Sequence, residues 1–341
     1  MPATTLVGLD VGSASIRAVE ATIGRDRPVI NNFGQAFLSP GTVVAGVVKD
    51  DRAVTTALRQ MWVSHDFETR DVVLGVTHQQ VVVREMEIPN LPHKERRQAL
   101  PFLVRDVLPI PAEQAILDFY PLEKPGKGDT VRGLLIAAPK DPVIGTVRAV
   151  EAAGLHVVSV DLSCFAALRA SAHLARDTEA LVDIGANGTN IIVHADGTPK
   201  IVRSVPRGGA EITKMVASRL DLSPADAETI KCRVGLNADA DAASAEVVEE
   251  AIRPLVTEIR SSFNYFASTT GGSAIKRLAL VGGAALLPGL PERLTEELGV
   301  LTFLSDPLQR VHDPRTGGRH DSLGRFRSSA AVSIGLTLGA A

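Results

Sequence analysis

The chain has 341 residues, of which 45% are apolar and 22% are charged, and its formal net charge is −3. This composition excludes a disordered chain, and it provides no global basic field to attract nucleic acid, so no nucleic-acid partner is expected. The two cysteines lack the spacing of a disulfide framework or a zinc cluster. No apolar run reaches the roughly 18 residues of a transmembrane helix, and the N-terminus lacks the basic region of a signal peptide. We therefore expect a cytoplasmic protein of two domains.

The first predicted element is a β-hairpin over residues 6–17, in which an apolar strand ends in Asp-x-Gly. Turn glycines let the backbone approach a ligand, and successive turn N–H groups form a concavity that binds anions. A third strand at 32–38 and a helix at 51–62 complete a βββα unit. The hairpin residues predicted to contact a ligand are Asp10, Gly12, Ser13, Ala14 and Arg17.

Residues 71–155 form a second region with different composition. It begins and ends with β-rich runs at 72–83 and 131–138. A charged, helix-like segment at 94–107 and a proline-bounded Leu108-Pro-Ile-Pro111 lie between them. The pattern predicts a small α/β subdomain inserted into the first domain.

The Asp-x-Gly hairpin pattern occurs again at residues 180–191. Two like hairpins predict two like domains. A carboxylate at each strand end supplies what a phosphate-bound Mg²⁺ requires, so facing hairpins are suited to hold a metal triphosphate from both sides. The second hairpin contributes Asp183, Gly185, Asn187, Gly188 and Thr189 to the predicted site.

Three helices are predicted after the second hairpin, at 211–220, 224–233 and 245–266. Gly208 precedes the first of them, and Glu228 and Lys231 lie three residues apart on one face of the second. An i,i+3 salt bridge explains that pair as well as a ligand contact does. A buried strand then runs into Gly282-Gly283, which can present bare backbone to a flat ring.

The order of these elements resembles the actin-like ATPase superfamily, with the two hairpins as its phosphate motifs and residues 278–290 as its adenosine motif. Closer matches, at 7–20, 108–118, 227–231 and 258–265, resemble the PilM family of type IV pilus assembly proteins. The resemblance implies an α/β fold of the actin-like (ribonuclease H-like) type, with two domains and an inserted small α/β subdomain. The implied divisions are 1–70 with 156–179 for the first domain, 71–155 for the insert, 180–210 with 271–341 for the second domain, and 211–270 for a helical subdomain.

The chemistry of a magnesium nucleotide then assigns roles. Asp10 and Asp183 are expected to orient the metal's water ligands, while the turn backbones and the hydroxyls of Ser13 and Thr189 receive phosphate oxygens. Arg17 stands where the family usually carries a phosphate-facing lysine. The resemblance implies that Glu228 contacts the ribose hydroxyls and that Lys231 lies beside the base. The expected cofactors are ATP and Mg²⁺.

Two departures from the family bear on catalysis. The family often carries an acidic residue where this chain has Ser163, and actin carries another where it has Ala186. Phosphoryl transfer to water needs a residue that positions the attacking water. We therefore expect nucleotide binding with at most slow ATPase activity.

The resemblance implies that the partner is the cytoplasmic N-terminal tail of a PilN-like bitopic membrane protein, which would hold the chain at the inner face of the cytoplasmic membrane. Pilus motor or platform proteins and self-association remain open. Two alternative functions also remain open. A small-molecule kinase of the same superfold would need a catalytic base aimed at its substrate, and an FtsA-like filament protein would bring an amphipathic membrane anchor.

Overall fold

The computed structural model describes residues 3–122, 128–172, 177–269, 274–314 and 323–339. Its strands, in chain order, are β1 (Thr4–Val11), β2 (Ser15–Ile23), β3 (Val29–Phe37), β4 (Val43–Val44), β5 (Val47–Val48), β6 (Asp71–Val76), β7 (Val82–Pro89), β8 (Ala115–Pro121), β9 (Thr130–Pro139), β10 (His156–Leu162), β11 (Thr178–Ile184), β12 (Thr189–Ala195), β13 (Thr198–Val205), β14 (Arg277–Val281) and β15 (Leu301–Leu304). Its α-helices are α1 (Asp51–Ser64), α2 (His93–Leu103), α3 (Lys140–Ala152), α4 (Ser163–Ser171), α5 (Gly209–Leu220), α6 (Pro224–Val234), α7 (Ala242–Thr269), α8 (Leu290–Leu298) and α9 (Ala331–Leu338).

Two five-stranded sheets share one topology. The first has the order β10-β6-β1-β2-β3, and the second has the order β13-β12-β11-β14-β15. In each sheet an antiparallel hairpin, β1-β2 or β11-β12, is extended by a strand parallel to its first member. Both hairpins predicted from the sequence are therefore confirmed, and so is the two-domain fold that they imply.

The two sheets are joined by a shared core and by two crossing helices, α4 and α9. A cluster of buried side chains from both sheets packs around these helices. At their crossing, a Cβ atom on Gly335 would overlap the carbonyl oxygen of Ala166, so glycine is required for this close approach. The outer face of the first sheet is covered by α1 and α3, and that of the second by α5 and α7.

The insert has a sheet of its own, with the order β7-β9-β8. Helix α2 packs on one face of this sheet through Leu100, together with Val104 directly after the helix. Two elements within the expected bounds 71–155 contact the first domain, because β6 pairs with β1 and α3 packs against α1. The run 72–83 contains parts of two strands that belong to different sheets, and residues 77–81 separate them.

The helical region after the second sheet contains α5, α6 and α7, as expected. Helix α7 is continuous through Pro254, although a proline inside a helix removes one backbone hydrogen bond. Its apolar stripe, which includes Val248, Ile252 and Ile259, is buried against the second sheet. Residues 270–273, where the sequence places a domain boundary, lie outside the described residues.

Candidate nucleotide-binding site

Asp10 and Asp183 occupy equivalent places near the ends of the first strands of the two hairpins. Burial raises the pKa of Asp10 to about 6, an effect that Arg17 opposes and Asp183 reinforces. Burial also raises the pKa of Asp183, which a hydrogen bond from Asn190 and the charge of Arg17 oppose. Burial therefore disfavours ionisation of both carboxylates, and the charge of Asp183 adds to this effect at Asp10, while the cation Arg17 favours ionisation of both.

Arg17 interacts electrostatically with both carboxylates. Its guanidinium is 4.0 Å from Asp10 Oδ2, and only 17% of its side chain is exposed. Burial lowers the pKa of Arg17, while the charges of Asp10 and Asp183 raise it. Its buried Nε has no hydrogen-bond partner among the described residues. A buried donor without an acceptor is costly, and a phosphate oxygen would satisfy it.

The turns of the two hairpins close in the same way. Gly12 N donates to Ser15 O at 3.1 Å, and Gly185 N donates to Gly188 O at 2.9 Å. In each turn a Cβ atom on the glycine would lie 3.0 Å from the acceptor oxygen. The predicted turn residues are at least partly exposed; they are Gly12, Ser13, Ala14, Gly185, Asn187 and Gly188.

The start of α5 is built onto the second turn. Gly209 N donates to Gly185 O at 3.0 Å, and Ala210 N donates to Ala186 O at 2.8 Å. Gly208 lies directly against the Gly185–Ala186 backbone, where a Cβ atom would overlap both carbonyl oxygens. The structure thus brings Gly208 to the second turn, and its lack of a side chain allows the contact.

The Thr189 side chain lies inside the fold. It is fully buried, and its hydroxyl donates to the Arg207 carbonyl at 2.8 Å. This hydrogen bond joins β12 to the backbone before α5 and stabilises the fold here.

Glu228 and Lys231 form the salt bridge expected from their spacing, and they also lie next to the cleft. Lys231 is buried, and its Nζ donates to Glu228 at 2.6 Å, to Thr213 Oγ1 at 2.9 Å and to Gly209 O at 3.2 Å. Burial opposes ionisation of Glu228, but hydrogen bonds from Lys231 and Thr213 outweigh it and lower its pKa. A Ser223 cap and Pro224 in the first turn fix the start of α6, which carries the pair.

The Gly282-Gly283 turn completes the cleft. Gly282 has φ +95°, and a Cβ atom there would lie 2.6 Å from Asp183 Oδ1 and overlap the Ile184 carbonyl. Only glycine is compatible with both conditions. A Cβ atom on Gly283 would lie 3.6 Å from the Arg17 guanidinium, and Ala284 packs against Gly209. This turn therefore adjoins both Asp183 and the start of α5.

Ser163 and Ala186 stand where the family or actin carries an acidic residue. The Ser163 hydroxyl is buried beside Gly75 and has no hydrogen-bond partner among the described residues. Nearby Asp161 forms an ion pair with Arg169 and caps the backbone of Leu162. Its carboxylate is committed to these contacts, so it does not replace the missing acid.

Two contact residues were missed by the sequence reasoning. Asn190 donates to Asp183 Oδ2 at 3.4 Å, and Thr213 contacts Glu228 and Lys231. Asn190 had a usable signal, because it stands seven residues after Asp183, as Arg17 stands seven residues after Asp10. Thr213 had none, because its partners are distant in sequence.

The residues present fit magnesium as part of a nucleotide complex. Among the described residues, no three or more His, Cys, Asp or Glu side chains converge to hold a metal alone. Magnesium, however, is commonly bound by one or two carboxylates together with phosphate oxygens and waters. Asp10, Asp183 and the orphan donor of Arg17 provide that arrangement. A separate cavity of about 330 Å³, near Ser171 and Arg310, contains none of the predicted residues.

Comparison with known proteins identifies the family. A family model described as type IV pilus assembly protein PilM matches residues 8–341. The chain belongs to the PilM family. The cell division protein FtsA of Bacillus subtilis (strain 168) is 27% identical over 256 residues, which cover 67% of this chain and 58% of FtsA. FtsA of Escherichia coli (strain K12) is 25% identical over 258 residues, which cover 60% of its length. The match thus covers less than two thirds of the length of each of these curated relatives.

Solved structures agree with this membership. A PilM-PilN type IV pilus biogenesis complex matches with a TM-score of 0.88 and 26% identity, covering 99% of both chains. The ethanolamine utilization protein EutJ from Carboxydothermus hydrogenoformans has a TM-score of 0.57 and 18% identity, covering 99% of this chain and 90% of EutJ. MreB5 of Spiroplasma citri bound to ADP has a TM-score of 0.54 and 14% identity, covering 98% and 95%. The last two show the fold alone, which is the actin-like two-domain fold of the PilM family.

A search for membrane-spanning helices covered the described residues only. It found none with the length and apolar character that crossing a bilayer requires.

Proposed function

We propose that this chain is an ATP-binding actin-like component of the type IV pilus assembly machinery, which docks the cytoplasmic tail of a PilN-like inner-membrane protein. The observation that carries the nucleotide part is the buried group of Asp10, Arg17 and Asp183 between two matched turns. It contains two carboxylates, one cation and an unsatisfied donor. A magnesium nucleotide supplies the charges and acceptors that this group lacks.

Each part of the cleft has a role in this proposal. Asp10 and Asp183 would hold the Mg²⁺ of a bound nucleotide, and Arg17 would donate to a phosphate oxygen. Glu228, Lys231 and the Gly282-Gly283 turn would bind the ribose and base. Bound Mg²⁺ would neutralise phosphate charge between the two domains.

Slow turnover is part of the same proposal. Ser163 and Ala186 provide no carboxylate to orient an attacking water, and Asp161 is paired with Arg169. We expect hydrolysis far below the ~1–100 s⁻¹ of kinases, with no acceleration by sugars. Rapid ADP release with any member of a sugar panel would favour a kinase instead.

The docking part is supported by two exposed sheet edges. Strand β8 is an outer strand of the insert, and β10 is an outer strand of the first sheet. Their neighbours β9 and β6 meet at a small core formed by Val76, Ala138 and Val143. Large apolar side chains remain exposed on both edges, namely Ile116, Tyr120, Val158 and Val160.

An extended peptide fits such edges, because its backbone can add to a sheet while alternate side chains fill apolar sites. The similar solved chain comes from a PilM-PilN complex, which supports a PilN-like tail as the occupant. Docking would place this chain peripherally at the inner face of the cytoplasmic membrane.

The nucleotide part is tested by thermal unfolding of protein that was first freed of nucleotide. Binding to the folded state should add RT ln(1 + [L]/Kd), or about 2.7 kcal/mol at 100 times Kd. Asp10→Ala and Asp183→Ala should remove the Mg²⁺-dependent part of the shift. Asp71→Ala, which changes an exposed acid at the far end of β6, should retain it. No shift of the wild-type protein with Mg-ATP would contradict the proposal.

The docking part is tested with a labelled peptide of the cytoplasmic tail of the organism's PilN protein. Val160→Asp and Ile116→Asp should each reduce binding at least tenfold without unfolding the chain, because both side chains are about 43% and 42% exposed. Leu301→Asp is the matched control, on the outer strand β15 of the second sheet. Equal binding by all variants would show that the peptide docks elsewhere than at β8 and β10. No binding by the wild-type protein would contradict the proposal of a PilN-like partner.

A further inference from the structure

Three polar residues form a line across three neighbouring strands of the second sheet. Asp183 on β11 is paired in register with Asn190 on β12, which is paired with Ser204 on β13. Asn190 Nδ2 donates to Asp183 Oδ2 at 3.4 Å, and Ser204 Oγ donates to Asn190 Oδ1 at 2.8 Å. The line ends at the cleft carboxylate.

The order of donors and acceptors in this line is fixed by chemistry. An asparagine amide has one accepting end and one donating end. The hydroxyl of Ser204 occupies the accepting end, so the donating end is turned to Asp183. Asn190 is 8% exposed, which protects this contact from competition with solvent. The amide therefore holds one carboxylate oxygen, and the other oxygen lies toward Gly282.

We propose that Asn190 and Ser204 are positioning residues, which hold the Asp183 carboxylate in the orientation that a nucleotide-bound Mg²⁺ requires. The inference rests on the proposed nucleotide function and deepens it. Hydrogen-bond partners behind a metal-binding carboxylate fix its direction, and their loss typically weakens metal affinity 10–100-fold. In the first hairpin the cross-strand partner of Asp10 is the cation Arg17 in place of an amide.

The test is calorimetric titration of the nucleotide-free chain with ATP, in excess Mg²⁺ and in EDTA. Ser204→Ala should weaken binding in Mg²⁺ roughly tenfold, and Asn190→Ala should weaken it at least as much. Affinity in EDTA should stay within about twofold of wild type, a separation that a general loss of stability would not produce. Ser204→Thr, which keeps the hydroxyl, should restore the wild-type Mg²⁺ dependence.

A matched control is Ser262→Ala in α7. The Ser262 hydroxyl is also buried and hydrogen-bonded, but it accepts from Arg203 and lies away from the line. It should leave the Mg²⁺ dependence unchanged. The inference would be wrong if Ser204→Ala and Asn190→Ala kept the wild-type Mg²⁺ dependence of ATP binding. It would also be wrong if Ser262→Ala lost as much of that dependence as they do. Neither result would contradict the proposed function. Absence of Mg-ATP binding by the wild-type chain would overturn the proposed function and this inference with it.

Discussion

The two hairpins of the cleft have the same backbone plan but different chemistry. In each one the aspartate near the end of the first strand is paired with the residue seven positions later. That residue is Arg17 in the first hairpin and Asn190 in the second. The first half therefore balances its carboxylate with a charge, whereas the second holds its carboxylate with a neutral amide.

This difference gives the site two carboxylates and a single cation among these four residues. A second arginine in place of Asn190 would neutralise both carboxylates and remove the electrostatic reason to bind a divalent ion. The asymmetry between two similar hairpins thus favours a site that is incomplete without a cation.

The largest expected effect comes from Arg17→Met. It removes the cation between two buried carboxylates, and breaking a buried ion pair from one side costs about 3–5 kcal/mol. Asn190→Leu, the equivalent change in the second hairpin, should cost about 1–3 kcal/mol, because a neutral hydrogen bond is lost. Urea unfolding at pH 7 measures both. Equal losses of unfolding free energy in the two variants would show that the charge of Arg17 does not make the first hairpin differ from the second.

Gly282→Ala should come next, with a cost of about 2–3 kcal/mol in the same measurement. The substitution forces an L side chain to positive φ and pushes its Cβ into the backbone after Asp183. Gly299→Ala provides the control, since Gly299 also has positive φ but has no atom within 4 Å of the added Cβ. It should cost about 1 kcal/mol. If the two variants lost similar amounts of unfolding free energy, the positive φ alone would explain the effect at Gly282.

Asp10→Asn should stabilise the nucleotide-free chain by about 1–2 kcal/mol at pH 7. The folded pKa of Asp10, about 6, exceeds its ordinary value of 3.8, so the folded state holds the proton more tightly than the unfolded state. This contribution is present below pH 4 and is lost as pH rises through 6. The unfolding free energy that Asp10→Asn gains over the wild-type protein should therefore grow between pH 4 and 6 and stay constant above pH 6. A pH-independent difference in stability would contradict the assignment.

Local patterns were sufficient to predict the hairpins, because an apolar run and the Asp-x-Gly turn that ends it lie within a dozen neighbouring residues. The same holds for α6, where Ser223, Pro224 and the Glu228–Lys231 spacing are all local. The fold as a whole followed from the repetition of one hairpin and from a family resemblance.

Contacts between distant segments were not accessible in that way. Nothing near Lys231 in sequence shows that its ammonium group lies on the Gly209 carbonyl. The commitment of the Thr189 hydroxyl to Arg207 depends on where α5 begins, 20 residues later. The sequence does not show that β6 and β7 belong to different sheets, because only the pairing of β6 with β1 separates the two strands.

The smallest expected effects concern the turn hydroxyls, Ser13 in the first hairpin and Thr189 in the second. Thr189→Val should cost about 1 kcal/mol of stability, because it removes a buried hydrogen bond to Arg207. Its effect on ATP affinity should be small. Ser13→Ala should change stability by less than about 0.5 kcal/mol, since this side chain is partly exposed, but it should weaken ATP binding a fewfold if the hydroxyl serves a phosphate. Unfolding and ATP titration of both variants would test whether Thr189→Val mainly lowers stability and Ser13→Ala mainly lowers ATP affinity. A loss of ATP affinity in Thr189→Val alone would contradict both expectations.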